Sequence, residues 1–329
     1  MAAARIPVTL ISGFLGAGKT TLVNHLLGER TRERIGVIVN EFGEVGVDGE
    51  LILADENPLI EITNGCVCCT VRKDLSVAVN AMLDPSGDRL DRLIIETSGL
   101  ADPAPVLQTF LADPDMLRRA ELESVITLVD AKHVSRHLDD PIVREQIAFA
   151  DVIVLNKVDA VDREVLDGVS QDVRKLNPTA AVVETNHSKV ASSKLLGTRR
   201  FSLPNTLALE PGLLDGDEHV HQHDDTIQSF CLAADAPLDG TRFNRWINRV
   251  VQASGNSIMR TKGVLALQGE ARRYHFHSVH MLLDCTPGSR WNSGERRHSK
   301  LVFIGRSLDF ETLRKEFLDC VASPLPSLI

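Results

Sequence analysis

No apolar run in the sequence reaches the roughly 18 residues that a helix needs to cross a bilayer, so no membrane partner is expected. Sustained heptads and long low-complexity tracts are also missing, and 14 Pro and 22 Gly are scattered along the chain, which excludes fibrous and disordered classes. Positive charge is in deficit: 36 Lys plus Arg stand against 45 Asp plus Glu, a formal net charge of −9. That balance argues against general binding to nucleic acid or another polyanion. The cysteines are not spread as a secreted disulfide framework spreads them. Three of the six crowd into Cys66-Val67-Cys68-Cys69, while Cys231, Cys285 and Cys320 stand singly among apolar neighbours and read as small core residues. Adjacent thiols make poor disulfides with one another, so the cluster points to a reducing compartment and to metal or redox chemistry. The stretch from Met1 to Leu15 bears a faint likeness to a secretion signal, yet cleavage there would destroy the best motif in the chain. A cytoplasmic location is expected.

What is present is the balance of an ordinary folded protein, 43% apolar and 25% charged. At about 150 residues per domain, the 329 residues suggest two domains. From Ile6 to about Glu184, strand-like runs (Ile6–Ser12, Ile35–Asn40, Leu90–Glu96, Val125–Asp130, Val152–Asn156, Ala180–Glu184) alternate with helical ones (Thr20–Leu27, Lys73–Leu83, Pro103–Leu111, Val143–Ala150, Arg163–Leu176). Near-continuous apolar strands with helical crossovers predict a doubly wound α/β domain of the P-loop NTPase type, with a mostly parallel sheet. The rhythm breaks between about Asn186 and Asp225, where Pro204, Pro211 and the acidic run Asp215 to Asp225 suggest an exposed linker. Beyond it, Thr226–Leu232, Ile258–Gln268, Arg272–Asp284 and Ser299–Gly305 read as strands, and Thr241–Ala253 and Asp309–Val321 as helices. The expected organisation is a larger α/β domain over 1–205, a linker over 206–225 and a smaller α+β domain over 226–329.

Gly13-Phe-Leu-Gly-Ala-Gly18-Lys19-Thr20 fits the phosphate-loop pattern, with an apolar strand before it and a helix after it. Backbone N–H groups there would face the phosphates, and Gly13, Gly16, Ala17, Gly18, Lys19, Thr20 and Thr21 are the expected contacts. Lys19 would neutralise β/γ oxygens, and the Thr20 hydroxyl would ligate Mg²⁺. Glu96 closes the apolar strand Arg92-Leu-Ile-Ile-Glu96, where it can hold the Mg²⁺ shell, and the Gly99 amide that follows could approach a γ-phosphate. Asn156-Lys157-Val158-Asp159 sits at another strand end. The Asp159 carboxylate can accept both guanine N–H donors, whereas adenine would leave it unpaired, so GTP is the expected nucleotide. Lys157 would lie along the base.

Thiolates at Cys66, Cys68 and Cys69 can converge on one ion if the backbone turns, and sulfur selects Zn²⁺ or Cu⁺, with Co²⁺ also accommodated. A Cys68–Cys69 redox pair is the competing reading. The loop Asn40-Glu41-Phe42-Gly43-Glu44-Val45-Gly46-Val47-Asp48 follows the second strand and carries three carboxylates that could serve either ion.

In this order the phosphate loop, Asn-Glu-Phe-Gly-Glu, Asn-Gly-Cys-Val-Cys-Cys, Glu-Thr-Ser-Gly-Leu-Ala-Asp-Pro and Asn-Lys-Val-Asp resemble those of the CobW-type metallochaperone GTPases, relatives of the urease and hydrogenase nickel-insertion GTPases. Trp291-Asn-Ser-Gly294-Glu-Arg296 and Leu301-Val-Phe-Ile-Gly305 are similar to the family's second domain. The resemblance implies a Mg²⁺-dependent GTPase that loads Zn²⁺, or next Co²⁺, into client metalloproteins. It implies a metal seat at Cys66, Cys68 and Cys69, Mg²⁺ on Thr20 and Glu96, and Glu41 or Glu44 near the ions. Some relatives carry a further Glu just before the Asn-Glu-Phe-Gly-Glu string; Val39 stands there in this chain. Lys19 is the expected catalytic cation, and Glu41 and Asp48 are the candidates for positioning the attacking water. A cobalt-handling GTPase of cobalamin synthesis and a non-catalytic zinc buffer or sensor are the alternatives, and a nucleotide-dependent homodimer is compatible with either. His219, His221 and His223 in the linker could collect metal or simply be solvated. His275 and His277 should share one strand face, with His280 on the other.

Overall fold

The computed structural model describes residues 5–29, 33–42, 58–64, 68–83, 89–202 and 227–322. The chain divides between residues 206 and 207 into two units. In the first, β-branched runs form the strands β1 (Ile6–Gly13), β2 (Ile35–Phe42), β3 (Leu59–Asn64), β4 (Arg92–Thr97), β5 (Ala120–Asp130), β6 (Val152–Asn156) and β7 (Ala181–Glu184). Among the described residues they make one sheet in the order β3-β2-β4-β1-β5-β6-β7, every neighbouring pair parallel. The connecting helices are α1 (Lys19–Gly28), α2 (Cys68–Met82), α3 (Ala104–Ala112), α4 (Pro114–Arg119), α5 (Pro141–Phe149), α6 (Arg163–Leu176) and the short α7 (Ser192–Leu195).

Both faces of this sheet are covered, which is why its strands read as unbroken apolar runs. Leu22, Val23 and Leu26 of α1 pack with Val37, Val39 and Ile94; Val143 and Ile147 of α5 pack with Leu166 and Val173 of α6, Ile153 and Leu155. Val39 is core, so a carboxylate in its place would have to be buried. Helix starts follow the capping rules: Asp113 accepts from Asp115 N and Met116 N, and Asp140 accepts from Ile142 N, in each case with Pro next in line.

The second unit is a five-stranded antiparallel sheet, β11-β10-β9-β12-β8, built from β8 (Ile227–Ala234), β9 (Ile258–Ala266), β10 (Arg272–Val279), β11 (Leu282–Arg290) and β12 (Ser299–Arg306). Helices α8 (Gly240–Ser254) and α9 (Phe310–Leu318) put Phe243, Trp246, Val250 and Phe317 against Phe230, Phe276, Leu301 and Phe303.

Several expectations need correction. The run Arg272–Asp284 is two strands: the chain reverses at His280, in the left-handed region at φ 49°, so His280 belongs to the turn and not to a strand face. Cys285 is exposed on the edge strand β11 instead of lying in a core; Cys320 is buried and Cys231 half-buried. Helix α2 begins five residues before the expected Lys73, at Cys68. The βα rhythm breaks near Asn186, yet residues 186–202 still pack into the first unit, burying Val190, Leu195, Leu196 and Phe201. The acidic run with His219, His221 and His223 lies outside the described residues. No described helix is long and apolar enough to cross a membrane.

Candidate nucleotide site

Because all seven strands are parallel, every loop at their C-terminal ends leaves at one edge, the edge where doubly wound sheets bind ligands. Gly13 ends β1, and the loop Phe14–Gly18 runs from it into α1. Gly18 sits at φ 105°, and a Cβ there would meet Asn156 Nδ2 at 2.6 Å and Ser188 Oγ at 2.7 Å. Only glycine meets both demands. Asn156, at the end of β6, donates through Nδ2 to Ala17 O and Ser188 Oγ, 2.9 Å each, and accepts from Ser188 N at 2.9 Å. Ser188 Oγ in turn donates to Gly18 O at 3.0 Å. One buried asparagine thus ties the phosphate loop to the turn after β7.

Lys19 is buried, with its Nζ 3.4 Å from Phe14 O. Ala17 is buried in the core, whereas Gly16 and Thr21 are exposed. The Thr20 hydroxyl donates to Glu96 Oε1 at 2.8 Å. Glu96 is only 1% exposed, so two hard oxygen donors converge beside the loop. That donor set fits Mg²⁺, which takes carboxylate and hydroxyl oxygen and keeps several waters. Gly99 is buried against Leu15: a Cβ on it would lie 2.7 Å from Leu15 N.

At the far side, Lys157 adopts φ 62° and its ammonium pairs with Asp130 Oδ2 at 2.7 Å; His133 Nδ1 lies 2.9 Å from the same oxygen. Burial pushes the Asp130 carboxyl up, but the hydrogen bonds from His133 and Lys157, with the Lys157 charge, outweigh it and hold the group below the usual carboxylate range. Asp159 is exposed, and its main-chain N–H donates to Asn186 Oδ1 at 2.9 Å. His187 and Ser188 are both left-handed, at φ 52° and 54°, a conformation uncommon outside glycine and a mark of functional turns. A cavity of about 220 Å³ lies between Phe14–Ala17, the end of β5 and α5, with Lys157 in its wall. Ser188, Asp130 and Gln146 were not singled out from the sequence. The polar triplet Asn186-His187-Ser188 directly after a strand, at the edge where the other loops meet, was the readable signal.

Glu41 lies near the end of β2, and Cys68 and Cys69 open α2. Cys66, Glu44 and Asp48 lie outside the described residues. The chain enters the thiol segment from the end of β3, next to β2 and one strand further from β4. At about 4.8 Å per strand, the β3 axis is about 10 Å from β4, which carries Glu96, and about 14 Å from β1. Among the described residues no three His, Cys, Asp or Glu side chains gather as metal ligands do.

Residues 7–184 match the family model described as CobW/HypB/UreG, nucleotide-binding domain, and residues 227–321 match that of the cobalamin synthesis protein cobW C-terminal domain. The chain is 34% identical over 317 residues to "Zinc chaperone YjiA" of Escherichia coli (strain K12), covering 95% of this chain and 98% of that protein. It is 32% identical over 335 residues to "Zinc chaperone CobW" of a Sinorhizobium species, covering 92% and 93%. The crystal structure of the Zn(II)-bound YjiA GTPase from E. coli superposes with a TM-score of 0.75 at 29% identity, covering 97% of this chain and all of that one. On a nucleotide-binding match spanning more than half its length, a matched C-terminal domain and relatives similar end to end, the chain belongs to the CobW/HypB/UreG family.

Proposed function

We propose that this chain binds and hydrolyses GTP and uses the presence of the γ-phosphate to gate the loading of zinc into client metalloproteins. The observation that carries the reading is the shared sheet edge: the phosphate loop after β1, Glu96 at the end of β4 and, with β2 between, the strand β3 leading to the thiols all end at it. The relatives' names support zinc over cobalt, and the crystallised relative YjiA, itself called a GTPase, supports hydrolysis.

In this reading, backbone amides of the loop up to Gly18 cradle the phosphates while Lys19 neutralises their non-bridging oxygens. Thr20 and Glu96 would hold Mg²⁺, which when bound screens phosphate charge. Asp159 is free to turn its exposed carboxylate to the guanine edge, its backbone fixed by Asn186. Glu41 and Asp48 are the proposed positioners of the attacking water. The segment Ser98–Asp102 and the loop after β2 are the proposed switches, ordered by triphosphate and released by diphosphate. Cys66, Cys68 and Cys69, with Glu44 nearby, are the proposed zinc seat; their thiols must be deprotonated, so affinity falls on acidification.

The double substitution Cys66→Ala with Cys68→Ala tests the seat. Zn²⁺ titrated into the variant should bind at least tenfold more weakly, with GTP affinity within about twofold of the parent. Undiminished zinc binding would overturn the assignment, and an absence of Mg²⁺-dependent GTP turnover in the parent would overturn the enzymatic half.

A further inference from the structure

Of the buried polar side chains left unused above, Gln146 reaches furthest into the proposed switch. It lies on α5, is 1% exposed, and donates through Nε2 to Gly99 O and Ala101 O, both at 3.1 Å. The main chain behind it is anchored as well, since Gln146 O accepts from Thr127 Oγ1 of β5 at 2.8 Å. The segment it holds has no regular structure. Within it, Ala101 N donates to Ser98 O at 3.1 Å and Ala104 N to Asp102 Oδ1 at 2.8 Å. Gly99 is also packed closely against the phosphate-loop residue Leu15. The segment therefore touches the phosphate loop at Gly99 and α5 at Gly99 and Ala101, whose two carbonyls share one amide.

A carboxamide NH₂ is the neutral group that supplies two N–H donors from a single atom. A hydrocarbon of the same size would strand two buried carbonyls, and a carboxylate would face them with like partial charge. Carbonyl and N–H of a peptide point opposite ways, so fixing the carbonyls on α5 turns the amide edge of Gly99–Leu100 away from the helix. Leu100 N accordingly lies toward Ser98 Oγ, at 3.5 Å.

We infer that Gln146 is a positioning residue of the nucleotide switch: it sets the conformation of residues 99–101, and both GTP turnover and discrimination between GTP and GDP depend on it. This rests on the hydrolytic switch proposed above. Gln146→Leu and Gln146→Glu in the full chain test it, with kcat and KM for GTP, the ratio of affinities for a non-hydrolysable GTP analogue and GDP, and thermal melting. For Gln146→Leu, kcat should fall 10- to 100-fold with KM within about threefold, and the affinity ratio should drop toward one. For Gln146→Glu, the same loss at pH 8 should be partly reversed as pH falls toward 5.5. Burial against carbonyls raises the new carboxyl's pKa, and its protonated form regains one donor; the parent should show no such gain. Should Gln146→Leu fail to fold, the pH profile of Gln146→Glu decides alone. Turnover, affinity ratio and pH profile all matching the parent would overturn the inference. A parent that does not hydrolyse GTP fails the proposed function instead, and the affinity ratio, which needs no hydrolysis, then tests Gln146.

Discussion

The seven strands of the first unit all point one way, so each of their outgoing loops reaches the same edge and can share a ligand. The five antiparallel strands of the second unit send alternate loops to opposite edges, and its core is an aromatic cluster packed under two helices. In the first unit the polar investment is concentrated at the shared edge: Asn156, Ser188, Glu96 and Gln146 are all at least half-buried and hydrogen-bonded there. In the second, polar contacts brace apolar packing, as where Trp246 Nε1 donates to Glu316 Oε2 at 3.1 Å. The difference teaches that the parallel unit is organised around something that comes and goes, and the antiparallel unit around itself. Mutations should therefore separate stability from nucleotide chemistry along this divide.

The largest separation is expected from Phe317→Ala. Phe317 is fully buried and its ring lies 5.4 Å from that of Trp246; truncating a core aromatic costs about 3–5 kcal/mol. Both tryptophans, Trp246 and Trp291, lie in the second unit, so their fluorescence follows its unfolding and should report the loss, with GTP affinity unchanged. A parallel loss of GTP binding would break the comparison.

Asp159→Asn is the converse. Replacing the charge-assisted pair with guanine should weaken GTP by about 2–3 kcal/mol, roughly 30- to 150-fold, and leave the tryptophan-reported melting alone, because Asp159 is exposed. Equal affinities for GTP in parent and variant would remove Asp159 from base recognition.

A smaller effect comes from pH. His275 is 6% exposed, and burial, with Arg273 nearby, lowers its pKa below the ordinary imidazole value. A depressed folded-state pKa contributes stability that is present above about pH 6.5 and is lost as pH falls through the folded value. Asp130 is also depressed, but from the ordinary carboxylate range, so its contribution survives to much lower pH. Tryptophan-monitored melting should weaken as pH falls below about 6.5, and His275→Gln should flatten that dependence; an unchanged slope would refute it.

Where local pattern and tertiary demand agree, the sequence was readable. The phosphate loop, the apolar strands and Asn156 announce themselves because glycine geometry, parallel-sheet burial and a strand-end polar residue each leave a local mark. Edge strand β11 did not. Pro287 and Gly288 argue against a strand, yet Pro is tolerated at a sheet edge, and β11 is that edge. The start of α2 was missed because cysteine, threonine and valine are indifferent helix formers, so no local preference in Cys68-Cys69-Thr70-Val71 marks a helix start. Gln146 left no mark because its partners are main-chain carbonyls some 45 residues away in sequence, a relation no local pattern encodes.

The most direct test of the account is a pair of Zn²⁺ affinities on the full chain with Mg²⁺ present, one with a non-hydrolysable GTP analogue and one with GDP. Coupling between the γ-phosphate and the thiols predicts values that differ at least tenfold, about 1.4 kcal/mol. Equal affinities would contradict it and make the chain a zinc-binding protein indifferent to its nucleotide.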